Sequence, residues 1–168
     1  MLTNAEQEVI REFGETLKYK LAEAIRSKPI RRRTPAQGSF EAPVNASGRL
    51  AESVESVLEG NTLNIKANDY IWYLVFGRPP TSSMGSGEVY PAIVQWLEDK
   101  GLDISPYAVT HNIHKYGTSI WQEHQGNESG LIDDILTQQA IDELADKLVS
   151  VLDDGIRIQL FNAFEKAA

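Results

Sequence analysis

The chain has 168 residues, 42% of them apolar and 24% charged, which fits one folded domain and excludes a disordered tail or a fibrous repeat as the whole protein. Sixteen basic and 24 acidic residues leave a net charge of −8, which argues against a surface that coats nucleic acid throughout. Cysteine is absent, no apolar run approaches the ~20 residues of a membrane span, and the first residues lack a signal-peptide pattern, so disulfides, thiolate metal sites and a secretory route are not expected.

Thr3 and Glu6 have the spacing of a capping box, and Ile10, Phe13, Leu17, Leu21 and Ile25 recur at helical spacing. The helix they predict ends before Pro29. Residues 29–47 show no periodicity, and residues 26–40 contain no acid. Arg26, Lys28, Arg31, Arg32 and Arg33 make this stretch locally +5. The reading is an extended basic arm, long enough to expect a functional role. Leu50, Val54 and Leu58 are four apart, predicting a helix over 48–59 with Ser47 as cap and Gly60 as stop. Gly60-Asn61 signals a turn, and the alternation of Leu63, Ile65 and Ala67 predicts a strand.

Tyr70 to Phe76 is an unbroken apolar run. Asp69 before it and Gly77 after it favour a short helix over a strand. Residues 77–88 read as a loop. Pro91 to Gly101 and Ser105 to Gly117 read as two helices, each with proline near its start and glycine at its end. Residues 118–130, polar apart from Ile120 and Trp121, read as another loop. Ile141, Leu144, Leu148, Leu152, Ile156, Leu160 and Phe164 predict a long helix from about 132 to 165, with a kink near Gly155. The C-terminal segment is acidic, with eight acids and three bases over 131–168. The fold class expected is α+β: helix-rich, with a small β element, long terminal helices and extended loops.

No catalytic constellation stands out. His111 and His114 are three apart on one helix face, as two metal ligands can be, but HExxH and a third ligand are missing. Met84-Gly85-Ser86-Gly87 is glycine-rich without the lysine a phosphate loop needs. Asp133-Asp134 and Asp153-Asp154 are adjacent pairs, whose side chains diverge on a helix. No catalytic, cofactor or metal residue is assigned. Arg31, Arg32 and Arg33 have three readings: phosphate contact, an acidic partner surface such as the C-terminal helix of a neighbouring copy, or plain solvation. Nine of the fourteen aromatic residues lie between Tyr70 and Trp121, as core or as an oligomer interface.

The middle of the chain carries an ordered set of short elements. Gly48-Arg49-Leu50 starts a helix, and Leu63 to Ala67 forms a strand. An aromatic segment follows, ending in Phe76-Gly77-Arg78-Pro79. Pro91, Ile93, Trp96 and Lys100-Gly101 mark the next helix, and Ile113-His114-Lys115-Tyr116-Gly117-Thr118 ends the last. Over residues 47–122 this order resembles the bacteriophage tail-completion or head–tail joining (neck) proteins, the minor tail protein Z-like group. That family often has an acid just before Phe-Gly, where this chain has Val75.

The resemblance implies a non-enzymatic virion protein. It would form part of a ring at the neck, with copies of itself and with portal, adaptor and tail proteins. It would be made in the host cytoplasm. Arg31, Arg32, Arg33, Phe76 and Arg78 are the residues expected to face partners or packaged DNA. The alternative expectation is a nucleic-acid-binding module acting through Arg31–Arg33. Neither requires a cofactor or a membrane.

Overall fold

A computed structural model describes residues 2–44, 47–81 and 87–167, with side chains placed up to Gly155. Helix α1 spans Asn4–Ser27. Its capping box forms: the Thr3 hydroxyl accepts from the Glu6 amide, and the Glu6 carboxylate accepts from the Thr3 amide at 2.6 Å. Leu17, Leu21, Ala22 and Ile25 are buried along one face, as their spacing predicts. Gly14 lies on the same face. A Cβ there would meet the Leu63 side chain at 2.6 Å, so the missing side chain lets a hairpin pack closely on the helix.

The segment expected as a loose arm is instead a β-hairpin. Strand β1 (Pro29–Thr34) pairs antiparallel with β2 (Gly38–Pro43), with Ile30 opposite Ala42 and Arg32 opposite Phe40. Ile30 is 1% exposed and belongs to the core. Strand periodicity is hidden in the sequence because an arginine occupies an inward-leaning position. The Arg32 guanidinium lies over the Phe40 ring, 5.7 Å from its centroid, while Arg31 and Arg33 are exposed.

The helix expected over 48–59 is also corrected. Helix α2 covers only Arg49–Glu52, and Glu55–Glu59 forms strand β3. β3 pairs antiparallel with β4 (Thr62–Lys66) across Gly60-Asn61. Gly60 has φ 62°, the sign that a two-residue hairpin turn of type II′ needs at its first position. The four-residue spacing of Leu50, Val54 and Leu58 therefore bridges two elements. Ser53 marks the break: its hydroxyl donates to the Leu50 carbonyl and accepts from the Asn68 amide. The expected cap at Ser47 is replaced by Gly48 at φ 85°.

Helix α3 (Ile71–Val75) is the short helix the flanking residues predict. Helices α4 (Val89–Lys100) and α5 (Pro106–Tyr116) also match the sequence reading. Ser105 caps α5 by accepting from the Ala108 amide, and Gly101 closes α4 at φ 61°. The loop expected over 118–130 contains helix α6 (Ser119–His124), capped by Thr118. Its one buried apolar residue, Ile120, was too little to show a period. Helix α7 (Gln138–Ala167) starts later than expected. Residues 131–137 are irregular because Leu131 is fully buried and Lys28 ties down the segment. The Lys28 ammonium donates to the Gly130 carbonyl at 2.6 Å and pairs with Asp134 at 2.7 Å. Helical backbone continues through Gly155.

The chain is thus α+β, about 54% helical with two small antiparallel two-strand sheets. Ile25, Ile30, Leu50, Val54, Val75, Ile120 and Leu131 meet in one core drawn from five elements, the link between α2 and β3, and the segment at 131. No described helix is long and apolar enough to cross a membrane.

Candidate functional site

Two of the short sequence motifs, near residues 76–79 and 116–118, interlock. Arg78 donates its amide to the Thr118 hydroxyl at 2.9 Å, and the Thr118 amide donates to the Arg78 carbonyl at 3.0 Å. This brings Phe76-Gly77-Arg78-Pro79 against Tyr116-Gly117-Thr118. Trp121 of α6 fills the junction. A Cβ at Gly77 would lie 2.6 Å from the Trp121 Cα, and one at Gly117 would lie 2.6 Å from the Trp121 ring. Gly126 abuts the far edge of the same ring. All three glycines have φ between 75° and 87°, so position and backbone both demand glycine. The following residues extend this clasp: the Thr81 amide donates to the His114 carbonyl, and the Thr81 hydroxyl meets His114 Nδ1 at 2.5 Å.

The clasp presents aromatic side chains to solvent. Trp72 stacks on Phe76 with ring centroids 6.0 Å apart, yet Trp72 remains 57% exposed. The Arg78 guanidinium lies 5.7 Å from the centroid of the exposed Tyr73 ring. Lys115 lies over exposed Tyr116, next to Gly117. Phe76 itself is half-buried and packs on the core, so it supports the surface more than it forms it. A five-residue helix cannot bury every side of a seven-residue apolar run. That mismatch is the signal for Trp72 and Tyr73 that the sequence offered.

Arg31, Arg32 and Arg33 lie elsewhere, on the β1–β2 hairpin, and differ from one another. Arg31 pairs with Glu123 of α6 at 2.8 Å, and its carbonyl accepts from His124 Nε2 at 2.8 Å. Ser39 of β2 donates to the same Glu123 carboxylate. Arg32 donates to the Pro43 carbonyl at 2.6 Å and is half-buried; burial lowers its pKa, though it stays charged. Its Nε is buried without a partner among the described residues. Arg33 is exposed and makes no ion pair among the described residues. Thus one of the three arginines is fully available to a partner. Helix α6 joins the two regions, since Trp121 sits under the clasp and Glu123 holds the hairpin.

The histidines are brought to separate tasks. His114 is buried on Thr81, while His111 is exposed and stacks on Tyr107. Among the described residues no group of three His, Asp or Glu side chains is placed to hold a metal ion. Met84, Gly85 and Ser86 lie outside the described residues. Asp133 and Asp134 are exposed in the irregular segment before α7, and Asp134 pairs with Lys28.

The other conspicuous surface is α7. Ala140 is buried and Leu144 and Leu148 are half-buried, but Ile141, Val149 and Leu152 are exposed. Leu136 just before the helix is exposed as well. No protein-family model matches the chain, and no curated protein or solved structure is similar to it.

Proposed function

We propose that this chain is a structural subunit that acts by assembly: a non-enzymatic head–tail joining or tail-completion protein of a bacteriophage. In this reading it forms part of a ring with copies of itself, between portal or adaptor proteins and tail proteins in the virion neck. The observation that carries it is the exposed apolar stripe of α7, a helix anchored to the body near its start. A lone protein gains nothing by leaving Ile141, Val149 and Leu152 in water, nor by exposing Trp72 elsewhere on its surface. Surfaces of that kind are covered in an assembly. The clasp around Trp121 adds support, because the two elements that bear the neck-protein resemblance form one unit. Contact with packaged DNA would fall to exposed Arg33 and Arg26, as Arg31 and Arg32 are engaged within the chain.

The test is the mass of the purified protein, alone and with a portal or tail partner, together with cryo-electron microscopy of virions. The expected result is a defined oligomer and matching density at the head–tail junction. A chain that stays monomeric with every partner and is absent from purified virions overturns the reading.

A further inference from the structure

We propose that the aromatic surface formed by Trp72, Tyr73 and Arg78 seats helix α7 of a second copy of this chain. The inference rests on the assembly reading above and names the two surfaces that meet. Both are exposed and apolar at their centres. On one side stand the Trp72 and Tyr73 rings. On the other, Ile141, Ala145, Val149 and Leu152, all exposed, follow one another at three- or four-residue steps and so share a stripe. An amphipathic helix laid into an aromatic surface is a common recognition mode, with anchors at this spacing.

Charge selects this pairing over the alternatives. From Gln138 to Gly155, α7 carries Asp142, Glu143, Asp146, Asp153 and Asp154 against Lys147 alone. The aromatic surface carries Arg78 and Lys115, each lying over a tyrosine ring. Two α7 helices pairing with each other would bring like charges together. The hairpin is a poorer acceptor, because Arg31 already pairs with Glu123 and Arg32 is spent on Pro43 and Phe40. Among the described residues the helix packs on α1 of its own chain, so the α7 seated on the aromatic surface is taken to come from another copy. Trp, Tyr and Arg are also the residue types that dominate binding energy at protein interfaces. The pairing is heterologous: each copy keeps a free helix and a free aromatic surface, so the contacts can close into a ring.

The experiment uses the full chain in two variant forms. Trp72→Ala with Arg78→Glu disables the aromatic surface; Val149→Glu with Leu152→Glu disables the helix. All four side chains are solvent-facing or half-exposed, and circular dichroism checks that both variants fold. Sedimentation velocity then measures mass. The wild type is expected to form oligomers, and each variant alone should associate at least about thirtyfold more weakly. An equimolar mixture of the two variants should give a dimer and nothing larger, because one intact surface remains on each copy. Oligomers of the Trp72/Arg78 variant at wild-type strength overturn the inference while leaving the assembly reading standing. So does a mixture that stays monomeric while the wild type assembles. A wild type that stays monomeric at every concentration, alone and with portal or tail partners, overturns both.

Discussion

At the scale of single residues, the clasp depends on atoms that are missing. Gly77 and Gly117 leave room for Trp121 and also take a backbone conformation that side chains disfavour. Gly77→Ala meets both penalties, because its Cβ would strike the Trp121 backbone and cannot be relieved by a rotamer change. A loss of roughly 2–4 kcal/mol follows from left-handed strain plus overpacking. For a chain of this length the melting temperature should fall by roughly 5–15 °C. Gly101→Ala is the matched control. It has a similar φ of 61° but open space around the added carbon, so only the conformational cost of about 1–2 kcal/mol applies. Thermal melts that show equal losses for the two variants would contradict the role given to Trp121.

Glu6 offers a residue-scale test by pH. Hydrogen bonds from the Thr3 amide and then the Thr3 hydroxyl hold its carboxyl below the ordinary value of 4.5. A group with a depressed folded pKa stabilises the fold above its unfolded pKa. That contribution disappears as pH falls through the folded value. Melting curves of the wild type and of Glu6→Gln should therefore differ most at neutral pH. The gap should close on acidification as pH falls through the depressed folded value, where the carboxyl becomes protonated and is no longer an ionised cap. A gap that widens toward low pH would contradict the capping geometry.

At the scale of elements, the β1–β2 hairpin is built into the body rather than held out from it. Ile30 is in the core, and Glu123, with a side chain only 13% exposed, pairs with Arg31 from α6. Ile30→Ala should cost about 2–4 kcal/mol, read as a lower urea midpoint. Arg31→Glu should cost about 1–2 kcal/mol, because it turns a shielded ion pair into a repulsion. Arg33→Glu, free of partners among the described residues, should stay within about 0.5 kcal/mol. Combining Arg31→Glu with Glu123→Arg should restore much of the midpoint. Equal effects of Arg31→Glu and Arg33→Glu would show that the pair with Glu123 carries nothing.

The same elements show what the sequence made legible. Helices α1, α4 and α5 are announced by caps and stops within one turn of their ends: Thr3 with Glu6, Pro91 with Gly101, Ser105 with Gly117. Those signals are local, so periodicity and capping suffice. The hairpins are set by partners instead. β1 is a strand because β2 pairs with it and α6 covers it, and its arginine-rich sequence hides the alternation. β3 lost its strand signal to an accidental four-residue spacing that runs on from α2. Helix α6 is too short for a period, yet it connects the clasp to the hairpin. Of the candidate interface, Phe76 and Arg78 were visible through their motif. Trp72 and Tyr73 emerge only once the short length of α3 shows that they cannot be buried. Trp121 emerges only once three glycines are found packed around this one residue.

At the scale of the whole molecule, the charge of −8 is unevenly spread, and so is burial. The core gathers near α1, the hairpins and α6, while α7 carries much of the acidity outward. Burial along α7 fades from Ala140, through half-buried Leu144 and Leu148, to Leu152, Asp153, Asp154 and Gly155, all exposed. Thirty helical residues span about 45 Å, so the distal half of α7 extends well past its buried first turns. A chain ending at Leu148 therefore tests whether α7 serves the fold or the assembly. It keeps Ala140, Leu144 and Leu148, and so its melting temperature should stay within about 3 °C of the full chain. It loses Val149, Leu152, Asp153, Asp154 and the helical turns beyond them, and its self-association should weaken at least about tenfold. Sedimentation and thermal melts on the same samples separate the two effects. A shortened chain that melts much lower would place the distal helix against its own body. One that associates as well as the full chain would confine the interface to the first half of α7.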